Sequence, residues 1–140
     1  STDADFMVKV IDVYPEKFEY SKTARNYLKS DYPMSGYQLM IRGELFRGRF
    51  RKGFDNPLPF KPEEITPVNY TLYDVAHTFL PGHRLMIQIQ SSWFPIIDRN
   101  PQKFIDTYHC TVEDFVMKQK IKIYHQQGAA SRVILPVVKK

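Results

Sequence analysis

The sequence predicts an all-β domain, an antiparallel sandwich of eight or fewer strands. Short runs of residues recur along the chain in which side-chain character alternates with a period of two, the repeat of a β-strand. Turn-forming residues separate these runs, and many of the ten prolines fall between them, where they would interrupt helices. A length of 140 residues with 43% hydrophobic residues suits one domain with one core.

Six alternating runs are predicted as strands. They lie at residues 6–11, 37–42, 68–73, 85–90, 118–124 and 133–137. One short helical turn is predicted at Thr111, because Thr111 and Asp114 have the spacing of a capping box. The first strand begins almost at the start of the sequence, so we expect the chain to be a fragment of a larger fold.

An arginine-rich stretch follows the second predicted strand. Arg47, Arg49 and Arg51 alternate with Phe46 and Phe50. Exposed aromatic side chains beside arginines would be typical of an RNA-binding strand. The period of two instead places the two rings on one face and the arginines on the other. We therefore predict a strand with its rings in the core and its arginines in water, and no nucleic-acid binding.

The net charge and the lengths of the apolar runs give only weak information about what the chain binds. The net charge of +5 and the pI of about 9.3 permit binding to nucleic acid or an anionic surface without requiring it. No apolar run approaches the roughly 18 residues of a membrane helix, so no membrane contact is expected. Cys110 is the only cysteine, which excludes an internal disulfide. The compartment, whether cytoplasmic, periplasmic or extracellular, stays open.

Neither a catalytic serine nor a metal site is predicted. The nucleophile-elbow pattern G-x-S-x-G is absent, and no carboxylate or thiol has zinc-like spacing to the histidines. His77 and His83 flank a Pro-Gly turn that could bring them together, but histidines in turns more often bond to backbone carbonyls. Asp3 and Asp5 supply too few oxygens for calcium. We expect no catalytic residue, no cofactor and no metal ion in this chain.

A polar cluster follows the strand at residues 85–90, and we interpret it as a structural corner of the sheet. Prolines at both ends of the cluster would remove the chain from the strand ladder. Asp98 is expected to accept from backbone amides or an arginine, and Arg99 to pair with a carboxylate. The predicted corner residues, expected to be buried or half-buried, are His83, Ser91, Ser92, Trp93, Pro95, Asp98, Arg99 and Asn100.

Four segments carry a resemblance to a known family. They are "TDADFMVKVIDVYP", "GYQLMIRGELFRGRFRKGFDNP", "HTFLPGHRLMIQIQSSWFPIIDRNPQ" and "IYHQQGAASRVILPV", in this order. Together they resemble the C-terminal domain of the CocE/NonD hydrolases, a group that includes α-amino-acid ester hydrolases, glutaryl acylases, cocaine esterase and X-Pro dipeptidyl-peptidases. The resemblance covers nearly the whole chain and is weakest at residues 20–30 and 104–115.

The resemblance implies a jelly-roll (galactose-binding-like) β-sandwich, beside an upstream α/β-hydrolase domain of the same polypeptide. Residues 1–140 would be one domain of that protein, lacking its first strand or two. The family's Ser-Asp-His triad, oxyanion hole and ammonium-binding carboxylates lie upstream, so none is carried over to this sequence.

Two functions are weighed for the chain. The resemblance implies a non-catalytic domain that braces the catalytic domain, shapes its active-site entrance and contributes to a homo-oligomer. The larger protein would then hydrolyse ester, acyl-amide or Xaa-Pro dipeptide bonds by acyl transfer to serine and then to water. The alternative is an independent carbohydrate-binding module, for which Trp93, Tyr73 or Tyr37 could supply an aromatic platform.

Overall fold

The regular structure is one three-stranded antiparallel sheet. The computed structural model describes residues 1–27, 32–116 and 118–138. Strands β1 (Asp5–Val13), β2 (Gln38–Arg47) and β3 (Arg84–Gln90) form the sheet in the order β2–β1–β3. A short helix, α1 (Lys22–Tyr27), and two 3-10 turns at Gly48–Phe50 and Val112–Asp114 complete the assigned elements of the described residues. The predicted all-β, antiparallel class is confirmed.

Strand β1 is the central strand of the sheet, and its side chains are buried on both faces of the sheet. Its burial hardly alternates, and the apolar core consists of Ala4, Met7, Val10, Ile11 and Val13. A strand between two neighbours has hydrogen-bonding partners on both edges, which suits a buried position.

Gly43 in β2 allows the methyl group of Met7 to lie against its backbone. A β-carbon at position 43 would stand 2.6 Å from Met7 Cε, and real β-carbons do not come so close. Gly43 lies opposite Lys9 in the β1–β2 register, whereas Met7 lies opposite Leu45, so the buried Met7 side chain reaches diagonally across to the bare backbone of Gly43.

Three of the six predicted strands form, and three do not. Residues 68–73, 118–124 and 133–137 are described, but they carry no strand assignment. The physical reason is the lack of a neighbour: a strand exists only where a second segment completes its hydrogen-bond ladder. Ile134 and Val137 accordingly remain 83% and 81% exposed. The second sheet of the sandwich, and with it the jelly roll, stays a prediction.

Strand β2 ends at Arg47, so the predicted alternation of arginines and phenylalanines does not continue as a strand through Arg49 and Arg51. The 3-10 turn at Gly48–Phe50 breaks the period of two and turns Arg49 inward, where only 12% of its side chain is exposed. The prediction of a solvated arginine face is wrong for this residue, and Arg47 and Arg51 are also half-buried. The capping box of Thr111 and Asp114 is present as predicted, on a 3-10 turn. Among the described helices, none has the length and apolar character needed to cross a membrane.

Candidate functional site

Two buried polar clusters lie at opposite ends of β1. The Asp3 cluster consists of Asp3, Asp5, Arg49 and Asn100, and it surrounds the beginning of the strand. The Asp12 cluster consists of Asp12, His77 and His83, and it lies near the end of the strand. Asp3, Asp5 and Asp12 are each no more than 2% exposed. Buried carboxylates require hydrogen-bonding partners, so the residues that supply these partners are constrained to remain polar.

In the Asp3 cluster, one carboxylate oxygen receives donors from two separate segments. Asp3 Oδ2 accepts from Arg49 Nε at 2.8 Å, from Arg49 Nη2, and from Asn100 Nδ2 at 3.1 Å. Arg49 Nη1 also donates to the carbonyl of Ile105 at 3.0 Å. This fork of the guanidinium against one carboxylate ties the loop at residues 100–105 to the start of β1.

Asp5 shares the same amide. Asn100 Nδ2 donates to Asp5 Oδ1 at 2.8 Å, and Asn100 Oδ1 accepts from the backbone N–H of Gln102 at 2.6 Å. Burial raises the pKa of Asp5 above its ordinary value, although the Asn100 bond and the charge of Arg47 oppose this effect. Asp5 therefore favours its protonated form more than a solvated aspartate does.

In the Asp12 cluster, one carboxylate binds two imidazoles. Asp12 Oδ2 lies 2.9 Å from His77 Nε2, and Asp12 Oδ1 lies 2.8 Å from His83 Nδ1. The side chain of His83 is 3% exposed and packs on Tyr14, with ring centroids 4.4 Å apart. The turn at Pro81–Gly82 does bring the two histidines together, as their spacing suggested, but their shared partner is a carboxylate and not a backbone carbonyl.

The structure divides the predicted corner residues between the two clusters. Asn100 belongs to the Asp3 cluster and His83 to the Asp12 cluster. Trp93 belongs to neither cluster; it is half-buried, with Lys9 Nζ 5.7 Å from its ring centroid. Ser92 Oγ accepts from the backbone N–H of Phe94 at 3.2 Å, the local bond expected for a hydroxyl at a strand end.

The expectation of burial is wrong for five of these residues. Those that the structure leaves exposed are Ser91, Ser92, Pro95, Asp98 and Arg99. They are exposed because the chain turns outward after β3, and the few contacts made there do not cover these side chains. Whether the set acts as a structural corner stays a prediction.

Asp98 and Arg99 differ in how they meet the expectations. Asp98 Oδ2 accepts from Arg47 Nη2 at 3.3 Å, so the expected arginine partner is present. The guanidinium of Arg99 lies over the ring of Phe115, 5.6 Å from its centroid, where a carboxylate partner was expected. The aromatic ring takes that place because the chain after the 3-10 turn at 112–114 returns to this loop, where Val116 N–H donates to the carbonyl of Pro101 at 3.2 Å.

Sequence reasoning did not identify Asp12 or Arg49 as members of buried clusters. A signal for Asp12 was available: a carboxylate within the run Val10–Val13, which is otherwise apolar, must find donors when the strand is buried. For Arg49 no such signal existed, since the 3-10 turn that directs it inward depends on tertiary contacts. A β-carbon at Gly48 would lie 2.6 Å from the ring of Phe60 and 2.8 Å from the carbonyl of Ala4.

The remaining nucleophile-type side chains have local partners. Cys110 Sγ donates to the carbonyl of Thr107 at 3.2 Å, and His109 Nδ1 lies 2.6 Å from Asp106 Oδ2. Across residues 1–27, 32–116 and 118–138, no hydrogen bond joins a serine or cysteine to a histidine. In the same residues, no group of three or more His, Cys, Asp or Glu side chains could hold a metal ion.

An antiparallel sheet whose buried polar side chains bond to one another defines a structural β-domain. Residues 1–134 match the family described as the X-Pro dipeptidyl-peptidase C-terminal non-catalytic domain. The chain belongs to this family.

Relatives of the chain include hydrolases that are much longer. Over 140 residues, all of the chain, it is 26% identical to cocaine esterase from Rhodococcus sp. (strain MB1 Bresler), of which it covers 21%. Among solved structures, an α-amino acid ester hydrolase labelled with selenomethionine aligns with a TM-score of 0.71 at 38% identity. That alignment covers 83% of this chain and 17% of the hydrolase.

A second solved structure, an aminopeptidase from the marine sediment archaeon Thaumarchaeota archaeon, aligns with a TM-score of 0.69 at 40% identity. The alignment covers 81% of this chain and 17% of the aminopeptidase. The chain therefore spans about a fifth of the length of each of these relatives.

Proposed function

We propose that the chain is the non-catalytic β-domain of a longer serine hydrolase, in which it braces the catalytic α/β-hydrolase domain and shapes the active-site entrance. The observation that carries this proposal is the family match over residues 1–134, together with the small share of each hydrolase relative that the chain covers. The reaction of the longer protein would be acyl transfer to serine and then to water, on ester, acyl-amide or Xaa-Pro dipeptide bonds.

The surface of the chain supports a role in contacts between domains. Phe54 and Tyr108 are 84% and 93% exposed, and Phe54 lies against Phe50 with ring centroids 5.2 Å apart. Phe50 and Tyr108 line one cavity of about 230 Å³ with Arg47 and Arg49. Exposed aromatic side chains grouped beside arginines are typical of protein interfaces, where they are removed from water by the partner.

The test compares the 140-residue chain with the product of the full reading frame that contains it. The full-length protein is expected to hydrolyse amino-acid esters or Xaa-Pro amides and to lose this activity to a serine-directed inhibitor, whereas the chain alone turns over neither substrate. Turnover by the repurified chain that survives the inhibitor would contradict the proposal.

A second experiment tests the proposed contact between this chain and the catalytic domain. Phe54→Ser in the full-length protein removes an exposed ring without touching either polar cluster. If the ring is covered by the catalytic domain, the variant lowers the Tm of the full-length protein but leaves the Tm of the 140-residue chain unchanged. Ile134→Ser, which also removes an exposed apolar side chain, shows whether the effect is particular to this surface.

A carbohydrate-binding module is the second candidate, favoured by one observation. Tyr73 is 73% exposed, and Arg42 holds it by donating to its carbonyl at 2.9 Å and lying over its ring at 5.8 Å from the centroid. A sugar ring can stack on an aromatic ring that is exposed and held in place. A glycan array with the 140-residue chain separates the two candidates, because sugar-specific binding lost in Tyr73→Ala would favour the module.

A further inference from the structure

A loop at residues 74–83 leads into β3 at the end of the sheet where Asp12 lies. Its apolar side chains remain in water, since Val75, Phe79 and Leu80 are 50%, 38% and 55% exposed. Single exposed apolar side chains are common on protein surfaces, whereas several in one short segment form a patch, and such patches mark contact sites. The 74–83 loop is therefore a candidate interaction surface.

One arginine holds the start of the 74–83 loop. Arg42 Nε donates to the carbonyl of Tyr73 at 2.9 Å, and Arg42 Nη2 donates to the carbonyl of Asp74 at 2.8 Å. Arg42 belongs to β2, and Glu44 of the same strand lies 3.7 Å from Arg42 Nη1. Hydrogen bonds from a charged guanidinium are stronger than those between neutral groups, so the loop begins at a position that is fixed relative to the sheet.

The Asp12 cluster holds the rest of the loop. His77 and His83 bond to the two oxygens of Asp12, which gives the loop one tether in its middle and one at its end. Between these tethers, the backbone N–H of His83 donates to the carbonyl of Leu80 at 3.1 Å, and Gly82 adopts the positive φ of 84°. The apolar side chains between the two histidines are therefore carried by a segment that is fixed to the sheet at both ends.

A fixed backbone with exposed apolar side chains favours a binding role for the loop. Ordering a loop costs conformational entropy, and a loop that is already ordered binds its partner without that cost. The exposed set consists of two aliphatic side chains and one aromatic ring. This chemistry suits the apolar side chains of another protein segment better than it suits a sugar or an anion.

The size of the patch indicates how the partner is attached. Three partly exposed side chains amount to on the order of a few hundred Å² of apolar surface. Separate chains bury about 800 Å² on each partner in a stable complex, so this patch alone is too small to hold a second copy. A domain of the same polypeptide needs less, because the covalent link gives it a high effective concentration. The chain covers only 17–21% of its hydrolase relatives, so most of such a polypeptide is available for this contact.

We propose that the 74–83 loop is a preformed docking surface on which the catalytic domain of the longer protein packs apolar side chains of its own. The inference rests on the proposed function, which supplies that domain, and it adds a second contact to the one expected at Phe54. The ring of Phe54 lies against Phe50, which lines a cavity with Arg49 of the Asp3 cluster. The 74–83 loop joins the Asp12 cluster at the opposite end of β1. A catalytic domain that makes both contacts would hold the sheet at both ends.

The test places the photoreactive residue p-benzoylphenylalanine at position 80 of the full-length protein, in place of Leu80. Irradiation of a mixture of isotope-labelled and unlabelled protein separates crosslinks within one polypeptide from crosslinks between copies. We expect crosslinks within one polypeptide, to peptides upstream of Ser1. Crosslinks between copies, or none outside the 140 residues, would overturn the inference. The matched control replaces Gln126, which is exposed and lies outside the loop, and should lose these crosslinks. Equal crosslinking from both positions would show that the contact does not belong to the loop.

A second experiment tests whether the tethers form the surface. His77→Leu removes one hydrogen-bond donor to Asp12, whereas His77→Gln retains an amide that can donate to it. In the full-length protein, His77→Leu should lose the crosslinks from position 80, and amide exchange in residues 74–83 should become about tenfold faster. His77→Gln should recover both. Unchanged crosslinking and exchange in His77→Leu would contradict a preformed surface.

Enzyme assays on the same full-length protein decide the proposed function separately. A protein that turns over none of the expected substrates, but whose crosslinks from position 80 fall upstream of Ser1, would refute the hydrolase assignment and leave the docking surface intact. An active protein that lacks those crosslinks would support the hydrolase assignment and refute the docking surface.

Discussion

The Asp3 carboxylate is fully buried, yet it has donors on both oxygens. Besides the bonds from Arg49 and Asn100 to Oδ2, its Oδ1 accepts from the backbone N–H of Ala4 at 2.9 Å. A buried ion pair is favourable only when such bonds are complete, and the removal of one partner leaves an uncompensated charge.

Arg49→Met is therefore expected to lower the free energy of unfolding by about 3 kcal/mol, measured by urea denaturation. Arg49→Lys keeps the charge but loses the fork of Nε and Nη2, so it should recover only part of this loss. The double variant Asp3→Asn/Arg49→Met removes both charges and should be more stable than Arg49→Met alone. A loss well below 1 kcal/mol for the single variant would contradict this account of the cluster.

The Asp12 carboxylate gives a second prediction, because one acidic side chain accepts from two histidines. Asp12→Asn retains one oxygen and places an amide NH₂ against the other imidazole. We expect the free energy of unfolding to fall by about 1–3 kcal/mol, the cost of an unsatisfied buried group. Asp106→Asn is the matched control, because it changes the exposed pair with His109 and should leave stability unchanged. Equal effects of the two variants would show that burial of Asp12 has no energetic consequence.

The raised pKa of Asp5 predicts a pH dependence with a definite sign. Its folded-state pKa lies above the ordinary value of 3.8, so the folded state binds this proton more tightly than the unfolded state. The stabilisation is complete below pH 3.8 and is lost as the pH rises through the folded-state pKa. Asp5→Asn cannot ionise, and its oxygen can still accept from Asn100. Its stability relative to the wild type should therefore increase from pH 4 to pH 7 in denaturant titrations, and a decrease would exclude a raised pKa.

The composition of the buried clusters was only partly predictable from the sequence. Asn100 and His83 were identified only as residues of a predicted structural corner, Asn100 within the polar cluster after the strand and His83 at the start of that strand. Arg49 was missed because its strand pattern continues past Arg47, whereas the backbone does not. A side chain's direction depends on the last residue of the strand, and Phe60 and Ala4, which crowd Gly48, are distant in sequence.

At the scale of elements, the sheet ends in an open edge at β3. Among the described residues the strand pairs with β1 on one side only, and Leu85 and Ile89 are 45% and 41% exposed. Unpaired strand edges associate with other edges unless a charge or another segment protects them. For this reason we also propose that the isolated chain forms homo-oligomers.

Light scattering of the 140-residue chain should accordingly show a molar mass that rises with concentration. Ile89→Lys places a charge at the edge and should shift the chain towards monomer. Gln126→Lys adds the same charge at an exposed position outside β3 and should not. A monomer at high concentration would contradict the prediction.

The strands that formed and those that did not have equally clear alternation. Residues 85–90 became β3 because β1 lies beside them, while residues 68–73 have only side-chain contacts with the sheet, such as the stacked rings of Phe46 and Tyr70 at 4.9 Å. Periodicity identifies residues that can form a strand. Periodicity contains no information about whether a neighbouring strand is present to complete the hydrogen-bond ladder.

For the whole molecule, the order of the strands has a consequence for biosynthesis. The central strand is the first of the three to leave the ribosome, and the sheet is not complete until Gln90 has been added. At about 5–20 residues per second, about 4–15 s pass between the synthesis of Val13 and that of Gln90. During that interval β1 can pair with β2 but still lacks its second neighbour, and a slower ribosome would lengthen this exposure.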